Sequence, residues 1–191
     1  MIAHKKSIVI SGCPAVGKTT VAGELAKEFG LKLFNGGDIL KEIASDNGYM
    51  ITGRDWWDGE EAKKFMAVRL TSPCFDKEVD QKLMEIAESG NAVITSYTLP
   101  WLTKHAIKFW LSGSQENRAK RMANRDNIKY LEAKEIVRLR DEENKKIYRK
   151  LYGINFGDDL TVFDFSINTD LLSLTPLIEI SKCMMRHVLD S

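Results

Sequence analysis

Cysteine is scarce: Cys13, Cys74 and Cys183 are the only three in 191 residues, and none stands at the spacing of a disulfide framework or a zinc site. An odd number without CxxC or Cys/His spacing excludes both and fits a reducing compartment. Four prolines and 13 glycines are too few for a collagen-like or low-complexity chain, and no fixed-period repeat or linker interrupts the sequence. Charge of one sign is also lacking, since 28 Lys and Arg against 27 Asp and Glu leave a net charge of +1. No field is available to gather the chain on nucleic acid or an anionic membrane, so small molecules are the expected partners. No apolar run approaches the ~20 residues that span a bilayer, and no signal-type apolar stretch follows Lys5 and Lys6. The expectation is a cytoplasmic monomer or homodimer.

What is present is 43% apolar and 29% charged residues at a length suited to one domain, residues 1–191. A folded chain of this size buries about 70% of its extended surface and needs no covalent staple. Short apolar runs at Ser7–Ser11, Leu31–Phe34, Ala92–Thr95, Ala106–Leu111 and Val162–Ile167 read as five strands. Helical patterns fall between and after them, at Lys18–Phe29, Asp38–Asp46, Glu60–Leu70, Lys77–Ser89, Gln115–Arg125, Ala133–Leu151 and Leu174–Leu189. Strands alternating with helices predict an α/β fold with a five-stranded parallel sheet covered on both faces, because parallel neighbours need long crossovers.

The residues after the first strand, Gly12-Cys13-Pro14-Ala15-Val16-Gly17-Lys18-Thr19, match GxxxxGK[ST] between a predicted strand and a predicted helix. Glycines permit a tight wrap that turns backbone N–H groups inward, and a helix start adds about half a positive charge, so polyphosphate is expected to bind mainly by main chain. Lys18 is expected to reach the β- and γ-phosphates of ATP, with Thr20 beside the loop and the Thr19 hydroxyl on Mg²⁺. The strand Ala92–Thr95 carries no acid at its end. Asp38 lies just past the second strand, where it could orient a magnesium-bound water or the acceptor, or simply cap the next helix.

Arg118, Arg121 and Arg125 recur at i, i+3 and i+7 and so share one helical face. Folded over the phosphate loop, such a face would neutralise the migrating phosphoryl group and exclude water, and Arg140 on the following helix is a candidate of the same kind. Lys145, Lys146, Arg149 and Lys150 read as solvated surface. Ser96 and Tyr97 follow a strand's carboxyl end, the usual place of sites in open α/β sheets, though the Ser96 hydroxyl could equally cap a turn. His4, His105 and His187 have no ligand or triad spacing and receive no role.

Taken in order, the phosphate loop, Gly36-Gly37-Asp38-Ile39, Phe75-Asp76 through Asp80, Trp101, Trp110-Leu111, Arg118-Ala119 with Arg121 and Arg125, Arg140-Asp141-Glu142, Tyr152-Gly153-Ile154 and Ile167-Asn168-Thr169 resemble the nucleoside-monophosphate kinases, most closely the archaeal type of cytidylate kinase. The resemblance spans nearly the whole chain. It implies a three-layer P-loop kinase fold, an acceptor-binding helical segment at about residues 36–72, and a short helical lid at about 115–150. It also implies an adenine-packing loop at Asn168, and ATP and Mg²⁺ as cofactors.

Departures from that pattern concern the acceptor. The resemblance implies arginines that grip the acceptor's monophosphate where this sequence has Lys41, Tyr97 and Ile147. Lysine keeps the charge without the bidentate fork, and tyrosine and isoleucine lose the charge. Nearby, Arg54, Asp55, Trp56, Trp57 and Asp58 set aromatic, cationic and acidic groups together. The departure resembles the mevalonate 3-phosphate 5-kinases, which phosphorylate a small branched hydroxy acid phosphate in archaeal isoprenoid synthesis. That acceptor implies remaining cations, for which Lys41, Arg54 and Arg69 are the candidates, and a proton acceptor among Asp38, Asp55 and Asp58. Core packing is the competing reading of Trp56 and Trp57. The alternative acceptor is CMP, and a nucleotide-dependent binding switch is a third reading.

Overall fold

The structure, a computed structural model, describes residues 6–51, 56, 60–72 and 74–189. Strands β1 (Ser7–Gly12), β2 (Lys32–Asn35), β3 (Ala92–Thr95), β4 (Ala106–Ser112) and β5 (Phe165–Asn168) form one parallel sheet in the order β2-β3-β1-β4-β5. Helices α1 (Lys18–Phe29), α2 (Gly36–Asp46), α3 (Glu60–Thr71), α4 (Cys74–Glu88), α5 (Leu99–Leu102), α6 (Gln115–Asp126), α7 (Tyr130–Tyr152) and α8 (Leu174–Leu189) connect and cover it. The five-stranded α/β expectation is met. Among the described residues no helix is long and apolar enough to cross a membrane.

All six residues of β1 are buried, as a central strand covered on both faces requires. Its side chains alternate between two cores. Ile8 and Ile10 pack with Phe109 and Leu111 of β4 against Val21 and Leu25 of α1 and Leu177 and Met185 of α8. Val9 faces the other way and joins Ile94, Ile39, Ile43, Leu83 and Phe65. A third cluster, Trp110, Ile147, Tyr148, Ile154 and Phe156, seats α7 on β4.

Most boundaries fall within a few residues of the sequence reading, with two departures. The last strand begins at Phe165, not Val162, because Asp159 folds residues 159–161 into a turn by accepting the Thr161 N–H (3.0 Å) and hydroxyl (2.6 Å). Asp164 then takes the Lys108 N–H at 2.7 Å on its side chain before the ladder starts. The four-residue α5, too short to show a helical period, was not expected. Its free amides are met by Ser96 Oγ, which accepts from Thr98 and Leu99 N–H at 3.3 and 3.1 Å.

The expected lid segment is a pair of helices. α6 leaves through Asn127 in the left-handed region (φ 54°), and α7 follows as 23 residues, beginning three residues before the expected Ala133 and ending one after the expected Leu151. Ala119 and Met122 of α6 pack on Ala133 and Val137 of α7.

Candidate active site

The chain leaves β1 and wraps through residues 13–17 into α1. Gly12 has φ 146°, Ala15 61° and Gly17 98°. A Cβ on Gly12 would lie 2.2 Å from the Leu111 carbonyl oxygen, so β4 is pressed against the turn and no side chain fits there. Pro14 and Val16 are buried, Val16 in the sheet core, and the segment therefore presents main chain rather than side chains to its concave side. Gly17 caps α1 with no side-chain bond, and no acid occupies the first turn. Uncapped amides and the positive end of a 12-residue helix together make an anion site.

Lys18 lies across this loop. Its Nζ donates to the Gly12 and Cys13 carbonyls, each at 2.8 Å, and rests 4.7 Å from the Tyr97 ring centre. Crowding by surrounding protein, to which Arg118 and Arg125 add repulsion while Asp141 opposes it, pulls its pKa down to about 7. An anion arriving in the loop supplies the countercharge the ammonium lacks. The Cys13 thiol is pushed up by burial and by Asp141, which keeps it protonated and leaves it no nucleophilic part.

The arginine face is split by the fold. Arg118 is buried and forms a two-pronged pair with Asp141 of α7 (2.9 and 2.6 Å), while also donating to the Pro14 and Gly113 carbonyls at 3.3 and 3.0 Å. Arg121 turns to the loop after β5, donating to Thr169 Oγ1 and O at 2.7 and 2.6 Å. Arg125 pairs with Asp126 at the exposed end of α6, and its charge is still felt at Lys18. The single stripe of cations over the loop is thus corrected: Arg118 bonds the loop, Arg121 fixes the Thr169 turn, and Arg125 pairs with Asp126. Asn168 is exposed and closes that turn by accepting the Asp170 N–H at 2.9 Å.

On the acceptor side several expectations change. Ser96 is buried and its Oγ accepts from two amides at the start of α5, the turn-capping role that the sequence left open. Arg69 is buried against Asp76 of α4, Nε and Nη2 reaching its two carboxylate oxygens at 2.9 and 2.6 Å, and donates to the Tyr148 hydroxyl at 3.3 Å. It is an internal ion pair, not an open anion contact. Trp56 is 2% exposed, packs on Phe65 and donates to the Met50 carbonyl at 3.0 Å, so the core reading holds for it. Arg54, Asp55, Trp57 and Asp58 lie outside the described residues. Asp38 does not cap its helix: α2 begins at Gly36, Asn35 is the cap residue, and Asp38 sits exposed in the first turn. Lys41 and Arg140 are half-buried.

Tyr97 is where these parts converge. Its ring lies under Lys18 and packs on Tyr148 and Phe156, and its carbonyl accepts from Ser11 Oγ at 3.0 Å. Burial raises its pKa, and the charges of Arg140 and Arg69 oppose the rise. Ile147, on the inner face of α7, is buried among aromatic rings. The sequence names the acids behind this wall only as part of the family resemblance and gives them no role. Asp80, buried and accepting from the Thr98 and Tyr152 hydroxyls, is raised to about 6 by desolvation. The i, i+4 spacing of Asp76 and Asp80 was the available signal.

Among the described residues no group of three His, Cys, Asp or Glu could hold a metal. The exposed Thr19 at the start of α1 suits a cation that arrives with phosphate oxygens and water, the usual shell of Mg²⁺.

A parallel α/β sheet whose central strand feeds a phosphate loop, with lysine in the loop and arginines closing from α6, defines a P-loop phosphotransferase. A family model for the cytidylate kinase-like family matches residues 7–171, and the chain belongs to that family. A cytidylate kinase of Pyrococcus horikoshii is 33% identical over 185 residues, 96% of this chain and 90% of that one. A cytidylate kinase of Pyrobaculum islandicum is 36% identical over 176 residues, 91% of this chain and 89% of that one. Among solved structures, an uncharacterized protein from Eubacterium ventriosum superposes with a TM-score of 0.67 at 16% identity, covering 97% of this chain and 98% of its own. A shikimate kinase from Bacteroides thetaiotaomicron gives 0.58 at 15% identity over 97% and 98%. The chain is a kinase.

Proposed function

We propose that this kinase transfers the γ-phosphate of ATP, bound with Mg²⁺, to a small phosphorylated acceptor. The observation that carries this reading is Lys18 parked on the Gly12 and Cys13 carbonyls at the uncapped start of α1, beside the buried Arg118. Transfer of a phosphoryl group is catalysed mostly by positioning and by neutralising charge on its equatorial oxygens. Main-chain amides of residues 13–19 hold the phosphates, Lys18 leaves its carbonyls for the β- and γ-phosphates, and Arg118, Arg125 and Arg140 close from α6 and α7. Mg²⁺, held by Thr19, phosphate oxygens and water, would neutralise the developing charge. Helices α2 and α3 face the acceptor, and the α6–α7 pair serves as the lid.

The relatives' name makes CMP the first acceptor to test, with CDP and ADP as products. A specific observation favours a second. Tyr97 and Ile147 fill two of the places where the family resemblance implies arginine, both within the aromatic cluster under α7, and Arg69 is already paired with Asp76. Two of the arginines that would grip a nucleotide phosphate are thus absent, which favours a differently shaped acceptor such as mevalonate 3-phosphate, attacked through its 5-hydroxyl; with Arg69 spent on Asp76, its phosphate and carboxylate fall to the other candidate cations, Lys41 and Arg54.

The test offers ATP and Mg²⁺ with CMP or with mevalonate 3-phosphate and follows ADP and the phosphorylated product. CDP at ordinary turnover selects the first acceptor. A doubly phosphorylated mevalonate, with CMP inert, selects the second. ATP binding without stimulation by either returns the switch reading, and a chain that binds no ATP removes all three.

A further inference from the structure

At the carboxyl edge of the sheet Asn35 of β2 stands opposite Thr95 of β3, and Thr95 opposite Ile10 of β1, two residues before Gly12. Neighbouring strands lie about 4.8 Å apart, which puts Asn35 about 10 Å across the sheet from the strand that feeds the phosphate loop. In segments 11–19, 35–40 and 95–103, which include and follow these three strand ends, Asp38 is the one acidic residue. Phosphoryl transfer to a hydroxyl uses a carboxylate to orient the nucleophile and take its proton.

Asn35 precedes α2, a position where an asparagine side chain ordinarily accepts from the helix's own first amides. It does not do so here. Its Oδ1 accepts from Thr95 Oγ1 at 3.0 Å, and its Nδ2 donates to Asp38 Oδ2 at 3.0 Å. Since a carboxylate only accepts, the amide's orientation is dictated and both its ends are engaged. A Cβ on Gly36 would lie 3.1 Å from the Thr95 carbonyl oxygen, so α2 starts hard against β3 and carries Asp38 to the sheet edge.

We propose that Asn35, anchored on Thr95, is a positioning residue that aims the Asp38 carboxylate at the acceptor hydroxyl. The proposal rests on the hydroxyl-acceptor reading above; turnover of CMP alone, whose nucleophile is a phosphate oxygen with no hydroxyl proton to give up, overturns it. In the step it serves, the acceptor oxygen bonds to the γ-phosphorus as the bond from that phosphorus to the β,γ-bridging oxygen breaks. ADP keeps the electron pair, and the hydroxyl proton passes to Asp38 and then to water. An exposed aspartate has several rotamers; a 3.0 Å bond from a side chain itself tied to the sheet selects one.

The test compares the parent chain with Asn35→Ala, Thr95→Val, Asp38→Asn and the Asn35→Ala/Asp38→Asn pair. It reads kcat and KM for acceptor-dependent ADP release, ATP affinity by calorimetry and thermal melting. Where neither acceptor is turned over, hydrolysis of ATP with Mg²⁺ is read instead, water replacing the hydroxyl. Expected are a loss of about tenfold in kcat for Asn35→Ala and a smaller one for Thr95→Val. ATP affinity and acceptor KM stay within about twofold of the parent. Asp38→Asn loses about a hundredfold. Adding Asn35→Ala to Asp38→Asn costs nothing further, because no carboxylate remains to be aimed. An Asn35→Ala loss that is the same with Asp38 or Asn at that position, or no loss at all, overturns the positioning role and leaves the kinase reading standing. A parent chain that neither transfers nor hydrolyses overturns both.

Discussion

Arg118 of α6 and Asp141 of α7 meet through two parallel hydrogen bonds of 2.9 and 2.6 Å, and the same guanidinium reaches the Pro14 carbonyl at 3.3 Å. One side chain therefore ties both arms of the helical pair to the phosphate loop. Removing Asp141 strands a buried cation. Asp141→Ala is expected to lower the unfolding free energy by about 3 kcal/mol and to weaken ATP binding as the loop loosens. Urea unfolding and calorimetry check both; a variant with parental stability contradicts the anchor.

Gly12→Ala places a methyl 2.2 Å from a backbone carbonyl of β4, which cannot give way as a flexible side chain would. The expected result is a chain that keeps its sheet, by circular dichroism, but loses detectable ATP binding. Retained nucleotide affinity would mean that the loop tolerates a second geometry.

Lys18 supplies a pH signature. Its pKa falls from 10.5 to about 7 on folding, so between these values the unfolded chain binds more protons and this residue's effect on stability improves as pH rises. Below pH 7 the native state bears the full cost of the buried ammonium. Replacing Lys18 by Met should therefore stabilise the chain relative to the parent more at pH 6 than at pH 9.5, while abolishing transfer at both. Denaturant unfolding at the two pH values measures the difference; a pH-independent difference rejects the shift.

Arg69 separates a structural from an acceptor-binding role. Arg69→Met leaves Asp76 buried without its cation and is expected to cost about 3–5 kcal/mol, most of it recovered by Arg69→Met with Asp76→Leu. An acceptor contact would instead show as a raised KM with unchanged stability. Thermal melting and steady-state kinetics on both variants decide.

The legible parts were those whose signal is local. GxxxxGK[ST] after a β-branched run demands glycines for backbone reasons, and Gly12 and Gly17 occupy φ values that favour glycine. The periodicity of Lys18–Phe29 and Leu174–Leu189 likewise marks helices by faces that α1 and α8 bury against each other. Asp38 was visible as an acid beside a strand end, but not its relation to Asn35, because that bond runs with a second one to Thr95, 60 residues away. Arg69 reads from the sequence as a pocket cation because composition cannot tell a cation facing solvent from one facing a buried carboxylate, and Trp56 stays open between pocket and core until the fold buries it on Phe65.

By itself the sequence determined the strand–loop–helix that takes polyphosphate, the number of strands and the chain's family. Each follows from short-range backbone geometry and side-chain period. Only the tertiary structure decided which charges are already spent on one another. It divided the arginines of α6 between Asp141, Thr169 and Asp126, sealed Arg69 against Asp76, and slid Tyr97 beneath Lys18. Those outcomes depend on desolvation and on partners far along the chain, and a charge acquires its chemistry from what surrounds it once water is gone.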